Sequence, residues 1–295
     1  MVLYSVQRSH RTAYPLWYLI LPCAVLAIFF LVPAFAAFYF SLTRWDLVNS
    51  EFIGLDNFFR FFSEAGLVNS IGHTVLFTIV STAVKLVVGF GIALLLHTAI
   101  AFRSAIRALV FFPVIASTIG IGITFSVLLD PNTGLVNQAL EALGVAAPYW
   151  LGDPSLALLT VAAVDGWKGV GLAAVILLAG LVSIPRETIE AARVDGASSL
   201  QLIRSVYLPL IQPAALTVLL LSVIGCIRAF DLIWTMTGGG PGFASDVLAS
   251  VVYKQYQAGF YGLSTAGNVV LFLVVLIASI PIWLVIRRAD REREG

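Results

Sequence analysis

The sequence predicts an all-α, polytopic membrane protein of about six transmembrane helices with a cytoplasmic two-helix loop. Three observations predict it. Apolar residues make up 60% of the 295 positions and charged residues 11%, against roughly 25% charged in an average soluble protein. The apolar residues arrive in blocks as long as a bilayer span, which takes about 20. Lys and Arg gather on alternate connections between the blocks, which gives the chain an inside and an outside.

In chain order the blocks are 15–40, 71–97, 105–129, 156–182, 213–235 and 264–286. Within hydrocarbon each backbone polar group must be bonded inside its own segment, so every block reads as a helix. Arg8, His10 and Arg11 precede the first block, and Ala34-Phe35-Ala36 has the form of a signal-peptidase site. The block is too long for a signal peptide's apolar core, and a retained first helix is expected. Pro22, Pro33 and Pro113 predict kinks rather than breaks, because neighbouring helices can satisfy the freed carbonyls.

With residues 1–14 inside, the inner segments carry Arg8, Arg11, Arg103, Arg107, Arg186, Arg193, Arg204, Arg287, Arg288, Arg291 and Arg293. The outer segments carry Arg44, Arg60 and Lys254. That asymmetry places both ends in the cytoplasm, the second tail being 288–295. A net charge of +1 supplies no basic field for nucleic acid, and none is expected as a partner. Cys23 and Cys226 lie inside apolar blocks, where single thiols are packing residues rather than a disulfide or a metal site.

The outer segments read as ordered. Trp45, Tyr149, Trp150, Tyr253, Tyr256 and Tyr261 fall where an aromatic belt lies. Phe58, Phe59, Phe61 and Phe62 suit an interfacial helix or packing on helix ends. Asp130-Pro131-Asn132-Thr133-Gly134 is a turn, and Leu135 to Leu143 has the spacing of a short helix. Gly238-Gly239-Gly240-Pro241-Gly242 is a second turn and no phosphate loop, since no Gly-Lys-Ser/Thr follows.

No catalytic constellation stands out, so the chain is not expected to be an enzyme. His10, His73 and His97 are scattered, and no His-Glu-x-x-His, Cys-x-x-Cys or Gly-x-Ser-x-Gly occurs. Gly169-Val170-Gly171-Leu172-Ala173-Ala174 matches a dinucleotide fingerprint in letters alone. Inside an apolar block with no preceding strand, it reads as close helix packing.

Charges within the blocks need a reason, since each costs about 2.5–3.5 kcal/mol at a helix centre. Asp165 and Lys168 are three apart, as are Arg228 and Asp231, a spacing that lets helical partners meet. Trp167 and Trp234 flank the pairs at similar depth in the outer half. A charge pair beside an indole suits a polyhydroxylated solute. The same groups could simply lock helices together. Lys85 reads as structural, and Asn268 as either helix glue or pathway lining.

The inner loop, 183–212, carries the strongest signal. Pro185 suits the first position of a helix and Gly196 the residue just past its end. Ser198 and Gln201 form a capping box for a second helix, which Pro209 would stop. Ala191 and Ala192 offer a low-profile face, with Glu190 and Asp195 at its rim, suited to another protein's groove. A plain amphipathic connector is the alternative, though it needs no pair of capped helices.

These residues resemble a known family. Glu190-Ala191-Ala192, Asp195-Gly196-Ala197 and Val206-x-Leu208-Pro209 look like the "EAA" loop of binding-protein-dependent ABC importers. Phe52-Ile53-Gly54-Leu55-Asp56-Asn57-Phe58, Trp150-Leu151-Gly152-Asp153-Pro154, and Phe230-Asp231-Leu232-Ile233 through Gly242 look like maltose-type sugar permeases. The large outer insertion and extra N-terminal helices of the founding maltose permease are not present here, and Ile203 stands where an aromatic residue is common. The resemblance implies a permease subunit paired with a second, related permease, two ATPase subunits and an extracytoplasmic solute-binding protein, all embedded in or docked on membrane lipid. It implies that Glu190, Ala191, Ala192, Asp195, Gly196, Ala197 and Pro209 couple to the ATPase, which would hold ATP and Mg; no cofactor is expected in this chain. A stand-alone secondary transporter of a small polar solute is the alternative reading.

Overall fold

A computed structural model describes residues 16–98 and 101–294. The tail 1–14, with Arg8, His10 and Arg11, lies outside the described residues, as do the side chains of Arg291 and Arg293.

The first span, α1, is Trp17–Ser41, and Ser41 is its one buried residue. It widens over Ala27–Leu31, where the Val32 N–H bonds to the Ala27 carbonyl five residues back. Pro33 follows directly. A proline ring collides with the carbonyl four residues back in a regular helix, and the wider turn absorbs that collision without a break. An antiparallel hairpin that the sequence did not announce comes next, β1 (Thr43–Trp45) paired with β2 (Ser50–Phe52). The Asn57 amide ties it to the membrane end of α1 by donating to the Ser41 and Thr43 carbonyls, each at 2.9 Å.

Asn57 belongs to α2 (Asp56–Ser63), the expected interfacial helix. Phe61 is buried against Leu67 and Leu248, while Phe59 and Phe62 are exposed. The second block becomes α3 (Ala65–His97), 33 residues long, or roughly 50 Å at 1.5 Å per residue. It begins six residues before its apolar core and packs along most of α7 (Ala157–Val182). Glycines allow this closeness: a side chain at Gly89 would meet Ala173, one at Gly166 would meet Val84, and one at Gly171 would meet the backbone of Val110 and Phe111. The Gly169–Ala174 letters are therefore a packing surface.

The third block is not the single kinked span expected. It divides into α4 (Arg103–Ile115) and α5 (Thr118–Leu128), which meet at 99°. Pro113 lies inside α4. The break falls beyond it, at Ser117, whose side chain caps α5 by accepting from the Gly120 N–H at 3.4 Å. The short outer helix α6 (Leu135–Ala142) follows the Asp130 turn. At the entrance to α7, Asp153 accepts from the hydroxyl and N–H of Ser155, which hold its carboxyl below the usual carboxylate range.

The inner loop forms α8 (Arg186–Val194) and α9 (Ser199–Leu210). Pro185 is the N-cap of α8, one residue earlier than expected. Helix α9 ends at Leu210, one residue past Pro209. The helix widens over Ile203–Tyr207, as α1 does before Pro33, and turns at Ile211 by 68° into α10 (Gln212–Ile227). The fifth block does not reach residue 235 as one helix: α10 ends at Ile227 and α11 (Asp231–Met236) starts afresh. After the glycine turn, α12 (Leu248–Gln257) leads into the last span, α13 (Tyr261–Glu294). Among the described residues, four helices are long and apolar enough to cross a bilayer, or up to six if each bent pair counts as one span.

Candidate functional site

Three polar regions are strung along α3, at its inner end, its middle and its outer end.

At the inner end, α7 connects to α8 through Ser183 to Pro185. Helix α8 closes with Gly196 at φ +82°, the Gly196 N–H on the Arg193 carbonyl and the Ala197 N–H on the Ala192 carbonyl, both at 3.0 Å. These are the two bonds of a Schellman turn, in which a glycine accepts the left-handed conformation that side chains resist. The capping box then starts α9, with the Ser198 N–H on Gln201 Oε1 at 2.7 Å and the Gln201 N–H on Ser198 Oγ at 3.4 Å. Ile189, Ala192, Ala197, Leu202 and Tyr207 pack with Ala93, Leu96 and Leu181 on the inner ends of α3 and α7. Ala191 and Ala192 therefore do not share a face. Ala191 is exposed with Glu190, Asp195, Gly196 and Pro209, whereas Ala192 and Ala197 turn inward. Glu190, Arg186 and Arg193 make no ion pair among the described residues, and with His97, Thr98 and Tyr207 they line a cavity of about 340 Å³.

In the middle, the pairing differs from the sequence expectation. Asp165 pairs with Lys85 of α3 at 2.6 Å, and Lys168 takes no part. Asp165 Oδ2 also accepts from the Ser81 hydroxyl and lies 3.6 Å from Cys226 Sγ on α10. Lys85 Nζ reaches that sulfur at 3.4 Å. The cluster thus links α3, α7 and α10. Lys85 reaches α7 because residue 169 is glycine: a Cβ there would strike its methylene stem. Sequence spacing favours partners on one helix. An ammonium buried in an apolar bundle takes whichever carboxylate comes nearest across the interface, and Lys85 needed one somewhere. On the same helix, Thr78 and Thr82 present buried hydroxyls with no hydrogen-bond partner among the described residues. A cavity of about 100 Å³ opens between α7 and α10, lined by Lys85, Gly169, Leu172, Val218, Leu221 and Ser222.

Arg228 and Asp231 do not pair either. The chain leaves the helix between them, so the three-residue spacing carries no helical meaning, and both are exposed. Trp234 stacks on Phe230 at 5.5 Å and meets the edge of Tyr253 at 4.9 Å. Trp167 is half-exposed against Phe125, Lys168 is half-buried, and Asn268 is exposed on α13.

At the outer end, Asp246 is buried beneath the glycine turn. It accepts from Lys254 and from the Ser250 hydroxyl, both at 2.7 Å. His73 Nδ1 meets the Asp246 carbonyl and Thr74 Oγ1 accepts from the Leu248 N–H, each at 2.9 Å. One helix therefore touches the outer turn, the buried ion pair and the inner loop.

The profile of the family described as binding-protein-dependent transport system inner membrane component matches residues 13–291. The chain is 34% identical to the trehalose/maltose transport system permease protein MalF of Thermococcus litoralis over 287 residues, 96% of this chain and 97% of that one. It is 30% identical to the multiple sugar-binding transport system permease protein MsmF of Streptococcus mutans, over 89% of this chain and 91% of that one. Its fold is that of a chain of a bacterial ABC transporter involved in the import of the acidic polysaccharide alginate, with a TM-score of 0.81 over 92% of this chain and 95% of that one, at 24% identity.

Proposed function

Because this chain belongs to the family of binding-protein-dependent transport system inner membrane components, we propose that it is the permease subunit of an ATP-driven importer carrying a sugar or related polyhydroxylated solute. The observation that carries this reading is the end-to-end similarity to a trehalose/maltose permease. Membership of that family also replaces the stand-alone secondary transporter.

In the assembly we propose, a second related permease completes the pathway and two ATPase subunits sit beneath, where ATP and Mg are held. An extracytoplasmic binding protein delivers the solute. Both termini are cytoplasmic, on the strength of the Lys/Arg asymmetry. The exposed face bearing Glu190, Ala191, Asp195 and Gly196 contacts the ATPase. Its charges have no partner among the described residues, and the Schellman turn fixes their orientation. Ala192 and Ala197 dock the same helix on the bundle, and Pro209 shapes the second helix of the loop.

The force acts on α7 and α10, which flank the loop. Their facing surfaces form the cavity beside Lys85, and we assign it to the solute passage. At about 100 Å³ it is well below the roughly 300–1,000 Å³ of ordinary ligand pockets, so a sugar passes only when the walls separate. Asp165, Trp167, Lys168, Arg228, Asp231, Trp234 and Asn268 supply polar groups and ring faces toward the outer half.

The test is reconstitution in liposomes with the second permease, the ATPase and the binding protein, followed by uptake of labelled sugars. ATP-dependent uptake that also needs the binding protein is expected. Uptake by this chain alone, driven by an ion gradient, would sink the proposal.

A further inference from the structure

Every polar contact that Asp165 makes among the described residues ends on one oxygen. Oδ2 takes the Ser81 hydroxyl, the Lys85 ammonium at 2.6 Å and the Cys226 thiol at 3.6 Å. Oδ1 receives no hydrogen bond, and the Asp165 side chain is still 19% exposed. Lys85 is deeper, at 11% for its side chain, and forms part of the cavity wall between α7 and α10. Its stem crosses α7 at Gly169, so its ammonium comes to Asp165 from the side of α3.

Stability does not explain such a pair. Two buried charges replaced by apolar side chains of similar volume usually leave a protein as stable or more so. What the pair does provide is a carboxylate in the membrane with its charge cancelled on one oxygen and the other oxygen free to accept.

We propose that Lys85 is a positioning residue for transport: by pairing with Oδ2 it neutralises the charge of Asp165 and leaves Oδ1 as the acceptor met by a solute hydroxyl. The ligand chemistry is a neutral hydroxyl donor, as on a sugar or polyol. This rests on the solute-passage reading of the cavity. A carboxylate without Lys85 would hold its solvation too tightly to exchange it for a hydroxyl, and an apolar residue at 165 would offer no acceptor.

The experiment uses the complete importer in liposomes, with uptake normalised to assembled complex. Lys85→Met alone is expected to lose about tenfold or more of the uptake rate, because the carboxylate is left without its counter-charge. Lys85→Met with Asp165→Asn, which keeps a neutral acceptor, is expected to recover to within about threefold of the original. Lys85→Met with Asp165→Leu packs at least as well and is expected to assemble, yet to stay about tenfold or more down. Full transport by the Met/Leu chain would reduce the pair to a helix clamp and overturn the proposal, as would an assembled but inactive Met/Asn chain. A further measurement stands independently of those variants. In Lys85→Met with Asp165→Cys, a small water-soluble thiol reagent is expected to label residue 165 above the background of Cys23 and Cys226, and saturating solute to shield it. Labelling that solute does not slow overturns the proposal. An unaltered importer without ATP-dependent uptake of any hydroxylated solute would instead overturn the importer reading beneath it.

Discussion

Replacing Gly196 separates two ways in which the inner loop could matter. The residue sits at φ +82° and a Cβ added there meets nothing within 4 Å. Within this chain, then, a substitution costs backbone strain and no collision. An ordinary L-residue in the left-handed region costs about 1–2 kcal/mol, which lowers the population of the turn roughly 5- to 30-fold. Asn accepts that region more readily than Ala, and a β-branched residue accepts it least. If the turn geometry sets the coupling, uptake per assembled importer should fall in the order Gly, Asn, Ala, Val, with Val lower by about the upper end of that range. If bulk against a partner surface decides instead, Ala should outperform the larger Asn. The assay is ATP-dependent uptake alongside ATPase rate in the reconstituted complex. An Ala chain that equals or exceeds the Asn chain would refute the conformational reasoning, and four equal rates would remove the loop from coupling altogether.

Asp246→Ala should loosen the outer turn, because Lys254 and the Ser250 hydroxyl lose a buried acceptor, at a cost of about 1–3 kcal/mol. Hydrogen exchange over Gly239 to Ser245 should speed up, and unchanged protection would refute the role given to that carboxylate. Gly169→Val forces a branched side chain into the stem of Lys85 and should cost about 1–3 kcal/mol by overpacking. Thermal unfolding of the purified chain in detergent should drop accordingly, and an unchanged Tm would show that α3 and α7 do not depend on this contact.

Two predictions that failed share a cause. The Asp165–Lys168 and Arg228–Asp231 pairs were inferred from spacing along one helix. The first lost to Lys85, a residue eighty positions away brought in by the α3–α7 packing, and the second lost to a chain break after Ile227. Lys85, which the sequence marks as structural by its isolation in an apolar block, is the partner that Asp165 takes. The division of Ala191 from Ala192 was likewise out of reach, because it depends on which side of α8 meets α3 and α7.

By itself, the sequence determined what is local or compositional: the apolar spans, the charge asymmetry, the Gly196 turn, the Ser198–Gln201 cap, and the glycine surface at 169 and 171. These follow from hydration, from φ restrictions and from hydrogen bonds a few residues long, all of which are written in consecutive positions. Only the tertiary structure decided which carboxylate Lys85 would take, where the third and fifth blocks would break, and which alanine of the loop faces outward. Those outcomes depend on contacts between segments distant in the chain, where burial makes a charge seek its nearest counter-charge whatever its place in the sequence.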